Sequence, residues 1–174
     1  MFGHRFETPR WAGALLVCLP FFLSSCDREE PLAVPTAAEV ESFYTYEREF
    51  SATMSGNVAE ISVVQPQRQL DRGGTLWAQV GPYIFLFCQE TQELFQRYPG
   101  LAGVRVVTRT PGGQKIAEAL LSRNALNNLT WKRALNIAGK ARRDGTRRPT
   151  LLEDLVRWGE EHTEHEYNPR YLHS

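Results

Sequence analysis

The sequence predicts an α+β fold: a small antiparallel sheet with helices packed on one face and a C-terminal helical hairpin. Three observations carry that expectation. Val104 to Thr110 (VRVVTRT) is rich in β-branched residues and stops at Pro111-Gly112-Gly113, the pattern of a strand running into a turn. Tyr83 to Tyr98 places apolar residues at 84, 87, 88, 94, 95 and 98, which suits one face of a helix. The last third holds two stretches of helical spacing separated by Asp144-Gly145. A chain of 174 residues, 42% hydrophobic and 23% charged, has the make-up of one folded domain and not of a disordered tail.

Taken in order, Thr36-Ala37-Ala38-Glu39 has capping-box spacing, and Val40, Phe43, Tyr44 and Phe50 form one stripe. A helix is therefore expected over about 37 to 51. Asn57 to Gln65 alternates partly, with Ile61 and Val63 on one face, and reads as a strand. Asp71-Arg72-Gly73-Gly74 reads as a turn, Thr75 to Val80 as a second short strand, and Gly81-Pro82 as its breaker. The helix from Tyr83 ends at Pro99-Gly100. Lys115 to Leu121 is the return strand of a hairpin begun at Val104, although its Ala, Glu and Leu content also suits a helix. Thr130 is placed to cap a helix from Trp131 to about Arg143, and Thr150-Leu151-Leu152-Glu153 opens a second helix to about Glu164.

Residues 1–25 read as an address. Arg5 and Arg10 make a basic start, and Trp11 to Ser25 is an uncharged apolar run of fifteen residues containing Pro20. A membrane-spanning helix needs roughly 20 apolar residues, so this run is a secretory signal and not a span. It ends in Leu23-Ser24-Ser25-Cys26, which resembles the lipobox of bacterial lipoproteins. The resemblance covers Met1 to Cys26 and is silent on the rest. It implies cleavage before Cys26, acylation of Cys26, and a cell-envelope domain held on the non-cytoplasmic side of a membrane. Asp27 resembles the inner-membrane retention signal of enteric-type bacteria, a rule that varies between lineages. Residues 26–36 (CDREEPLAVPT) suit a tether, and residues 37–174 then form a single α+β domain.

Net charge is zero, from 20 basic and 20 acidic residues, so no overall field draws the protein to nucleic acid or membrane. The charge is nonetheless segregated. Residues 27–96 carry 11 acids and 4 bases, residues 97–148 carry 12 bases and 2 acids, and residues 149–168 carry 6 acids and 1 base. The basic block centres on Lys132, Arg133, Lys140, Arg142, Arg143, Arg147 and Arg148. One reading is a face for an anionic lipid, a glycan or an envelope protein. The other is that the basic helix lies beside the acidic one and the two interleave weak surface ion pairs. Nucleic acid is not an expected partner of an exported chain that lacks a nucleic-acid motif.

Catalytic signals are sparse. His162 and His165 are three apart, so on one helix both would face a single ion, with Glu161 or Glu166 as a further ligand. The spacing fits neither H-E-x-x-H nor H-x-x-E-H. After signal removal the only other histidine is His173, beside the C-terminus. Gly73-Gly74 and Gly112-Gly113 open no phosphate loop, no G-x-S-x-G elbow is present, and no cofactor is called for. Cys88, the one cysteine left unmodified, lies in the apolar stretch Ile84 to Cys88 and reads as a buried small hydrophobe. The expectation is a membrane-anchored, non-enzymatic binding or assembly module acting through its basic C-terminal helices. The alternative is a metal-dependent periplasmic hydrolase using His162 and His165.

Overall fold

The computed structural model describes residues 32–44 and 50–172. The segment expected to be a signal, Cys26 and His173 lie outside the described residues, as do residues 45–49 within the first expected helix. The elements are α1 (Ala37–Phe43), β1 (Phe50–Ser55), β2 (Val58–Val64), α2 (Gln67–Leu86), α3 (Gln89–Arg97), β3 (Gly103–Arg109), β4 (Lys115–Ser122), α4 (Asn128–Asp144), α5 (Thr150–His162) and β5 (Glu164–Tyr167), then a short 3-10 turn, Pro169–Tyr171. The class is α+β, and α4 and α5 pack together as a C-terminal helical hairpin.

The five strands lie in sequence order, β1-β2-β3-β4-β5. Three of the pairings are antiparallel, as expected, but β2 and β3 run parallel, so the sheet is mixed. The cause is the segment between them. Thr75 to Val80, expected as a strand, is helical and belongs to α2. Parallel neighbours need a crossover of about a dozen residues or more, and α2 with α3 supplies it. Leu76, Trp77 and Val80 continue into Tyr83, Ile84 and Phe87 at helical spacing, and Trp77, Val80, Tyr83 and Phe87 are buried together in the core. The turn expected at Asp71 to Gly74 is instead a kink within α2, at Gly74, whose φ is 54°.

Two further strands were not expected. β1 follows the first helix, which stops at Phe43 and not near residue 51; Gly56, at φ 61°, turns the chain into β2. The outward N–H of Ala52 on this edge strand donates to Glu41 Oε1 at 2.9 Å, which blunts the edge against further pairing. β5 takes the opposite edge, where Tyr167 pairs with Ala117 and His165 with Ala119.

Alternation along the strands sorts the two faces. Ala59, Ile61, Val63, Val104, Val106, Ala119 and Leu121 point into one core with α2, α3, α4 and α5, all nearly inaccessible to solvent. Burying each large aliphatic or aromatic side chain there contributes about 1.5–3 kcal/mol. The opposite face carries Glu60, Arg105, Glu118 and Glu166, with ion pairs Arg105–Glu60 at 3.6 Å and Lys115–Glu166 at 2.9 Å. Close approach of α5 to α2 depends on Gly159, because a Cβ there would collide with the Tyr83 ring. The C-terminal tail folds back on the body: Asn168 Nδ2 donates to Lys115 O at 2.8 Å, and Tyr171 Oη donates to Gln114 Oε1 at 3.0 Å.

Candidate functional site

α4 begins at Asn128, ahead of the start expected at Trp131. Asn127 is its N-cap: its side-chain oxygen accepts from Leu129 N at 2.9 Å and Thr130 N at 3.0 Å. Thr130 Oγ1 accepts from Asn127 N at 2.8 Å, so the threonine completes the cap instead of forming it. Trp131, Ala134, Ala138 and Ala141 are buried, which gives the helix a mostly small inner face. The outer face carries Leu129, Lys132, Arg133, Asn136, Lys140 and Arg143, all exposed and recurring at helical spacing. At 1.5 Å per residue the row from Leu129 to Arg143 is about 21 Å long.

The seven basic residues singled out from the sequence do not all serve that face. Arg142 turns toward α2. Its guanidinium donates to Phe87 O at 3.0 Å and also to Ile84 O, which satisfies carbonyls left open where α2 ends. Arg133 lies 4.6 Å from the ring centroid of Trp158 on α5, a cation–π contact that ties the hairpin together. Arg143 Nε donates to the neighbouring Asp144 at 3.1 Å. Arg147 and Arg148 sit in the turn after α4, where both backbone N–H groups donate to Asp144 O. Lys132, Lys140, Arg147 and Arg148 take part in no ion pair among the described residues.

The acidic helix does not neutralise the basic one. On α5, Asp154 pairs with Arg157 of its own helix at 2.6 Å. Among the described residues no ion pair joins α4 to α5, so the interleaved pairs expected of neighbouring basic and acidic helices are missing. The reason is geometric. The helices meet through buried apolar side chains, and the basic group that α4 brings to their seam, Arg133, is held against the Trp158 ring and not against a carboxylate. A shallow groove of about 450 Å³ runs along the seam, lined by Arg133, Asn136, Ile137, Asp154, Arg157, Trp158 and Glu161.

His162 and His165 do not share a helix. α5 ends at His162, Thr163 is extended, and His165 lies in β5. His162 stacks on Trp158 with ring centroids 4.0 Å apart, and its Nδ1 is 2.8 Å from Trp158 O. His165 packs against Tyr167, 5.1 Å between ring centroids. Among the described residues no three His, Cys, Asp or Glu side chains gather as a metal site, and Glu161 and Glu166 complete none with the two histidines.

Sequence reasoning missed two polar clusters. Arg123, just past β4, donates through Nε to Leu101 O at 2.6 Å, through Nη1 to Phe95 O at 2.8 Å, and through Nη2 to Tyr98 O, capping the end of α3. Nothing in the local sequence marks it, because β3 and β4 separate it along the chain from all three acceptors. The second cluster joins Tyr83 Oη to Tyr167 Oη at 2.6 Å and Tyr167 Oη to Glu160 at 3.0 Å. Burial pushes Tyr83 up to about 12 and raises Tyr167 as well, so neither phenol ionises near neutrality. Cys88 is buried as expected; burial lifts its thiol to about 11, and its Sγ donates to Phe85 O at 3.0 Å. These groups hold the fold together and offer no activated nucleophile.

Comparison with protein-family models, with curated proteins and with solved structures finds no match. The functional reading therefore rests on this chain alone. Among the described residues no helix is long and apolar enough to cross a membrane.

Proposed function

We propose that the protein is an envelope lipoprotein, anchored through Cys26, whose domain is a non-enzymatic binding module that offers the outer face of α4 to an anionic partner. The observation that carries this reading is the row Lys132, Lys140 and Arg143, exposed and not neutralised by the acidic helix beside it. Exposed charges on a helix add little to folding, typically about 0–1 kcal/mol even when paired, so a one-sided row is better suited to binding than to stability. The anchor rests on the Leu23–Cys26 tetrapeptide at the end of its apolar run. Tethering raises the effective concentration of the domain at the envelope, so a modest intrinsic affinity suffices.

The test has two parts. Mass spectrometry of the protein purified from its native envelope should find diacylglycerol and acyl chains on an N-terminal Cys26, and Cys26→Ala should abolish them. Crosslinking in the same membranes from a photoreactive residue placed at Asn136, exposed on the same face, should then capture the partner, and capture should be lost when Lys132, Lys140 and Arg143 are all changed to Glu. Contacts that survive the triple reversal would remove the α4 face from consideration. Arg142 is left out of the set because it caps α2, and its loss would disturb the fold.

A further inference from the structure

Three large apolar side chains are exposed among the described residues: Leu32 at 66%, Val34 at 43% and Leu129 at 76%. Contacts place all three at one end of the domain. Residues 32–34 are pinned there, with Gly100 N donating to Ala33 O at 2.8 Å and no room for a Cβ on Gly100 beneath Leu32 and Val34. Gly100 follows α3, whose last carbonyls, with that of Leu101, are gripped by Arg123. A short turn after Arg123 leads to Asn127, the cap of α4, and Trp131 in the first turns of α4 packs on Phe95 of α3 at 6.3 Å. Residues 32–34, the end of α3 and the start of α4 are therefore neighbours.

Resting on the anchored reading above, we infer that the partner of α4 is the anionic lipid surface of the membrane that holds Cys26, with Leu129 seated at the boundary of headgroups and acyl chains. Chain length supports this choice. Residues 26–31 span at most about 20 Å when fully extended, so an acylated Cys26 keeps the Leu32 end of the domain within that distance of the bilayer. The α4 row starts at that end. Leu129 sits in the row with Lys132 and Arg133 one turn away, the mixture of apolar and basic side chains that lies in a membrane interface. A bilayer also accounts for the clustering of exposed Leu and Val beside the anchor point.

The test uses the lipidated full-length protein in nanodiscs of phosphatidylcholine alone or mixed in equal parts with phosphatidylglycerol. A spin label on Leu129→Cys is read by its accessibility to oxygen and to an aqueous nickel complex; buried Cys88 stays unlabelled in the folded protein. In anionic discs the label should become accessible to oxygen and shielded from nickel, and in neutral discs it should stay in water. Each basic residue at an anionic surface is worth about 1 kcal/mol, so changing Lys132, Lys140 and Arg143 to Glu should shift the docked ratio at least about 100-fold toward undocked. Unaltered thermal unfolding of the triple variant separates this from misfolding. A label that remains in water in anionic discs overturns the inference and leaves the anchor intact. Protection of Lys132 and Lys140 by a copurifying acidic protein, without lipid contact at 129, overturns it in favour of that protein. An unacylated Cys26 on mass spectrometry overturns the anchor and this inference together.

Discussion

Arg142 and Arg143 are neighbours in the chain and face different sides of one helix. On the inner side, Arg142 donates to carbonyls at the end of α2, and Arg123 does the same service at the end of α3. On the outer side, Arg143 pairs only with Asp144, while Lys132 and Lys140 have no ionic partner among the described residues. Both sides carry positive charge, yet only the inner guanidinium groups donate to carbonyls at helix ends, and the outer lysines meet no carboxylate among the described residues. A basic cluster in a sequence is therefore two populations. Guanidinium groups that close helix ends belong to stability, and the charges left without acceptors are those free to meet a partner.

Removing an inner arginine challenges this division most directly. Arg123→Met leaves the carbonyls of Phe95, Tyr98 and Leu101 without their charged donor and should cost about 3 kcal/mol, read from urea unfolding. Arg142→Met removes the bond to Phe87 O and should cost about 1–2 kcal/mol in the same assay. If either variant unfolds like the parent, the division of labour is wrong.

Cys88 sits at the same junction between α2 and α3 and supplies a pH test. Its thiol is held up at about 11 against an ordinary value near 9.0, because burial disfavours the thiolate. The folded chain then keeps a proton that the unfolded chain has already lost. Stability from this group is full below about pH 9 and falls as pH rises through about 11. Thermal unfolding measured across that window should decline, and Cys88→Ala should flatten the part of the decline between about pH 9 and 10, below the ordinary phenol value of 10.0 from which buried Tyr83 and Tyr167 add their own loss.

Smaller effects belong to the outer side. Gly139 lies within α4 with open space where a Cβ would go, so Gly139→Ala should stabilise by about 0.5–1 kcal/mol, seen as a higher unfolding midpoint. Replacing Lys132 and Lys140 with Ala should change stability by less than about 0.5 kcal/mol. A larger loss on urea unfolding would mean that these lysines serve the fold after all, and the contrast would fail on its outer side.

Local features were legible before any packing, because neighbours in the chain encode them. The capping box at Thr36 and Glu39 forms as its spacing demands, with Thr36 N donating to Glu39 at 2.8 Å. The hairpin of β3 and β4, the burial of Cys88 and the paired helices α4 and α5 also follow from local patterns of apolar residues and turn formers. Long-range packing settled the rest. Leu76, Trp77 and Val80 fit a strand or a helix until the sheet and Tyr83 are packed against them, and only then does the crossover make β2 and β3 parallel. Glu164 to Tyr167 becomes a strand because β4 has an open edge to pair with, which also takes His165 off the helix that ends at His162. The α4 face was legible only as a cluster of charge. Which arginine turns inward depends on the carbonyls of Ile84 and Phe87, a remote part of the chain, and no short window of sequence contains both the donor and its acceptors.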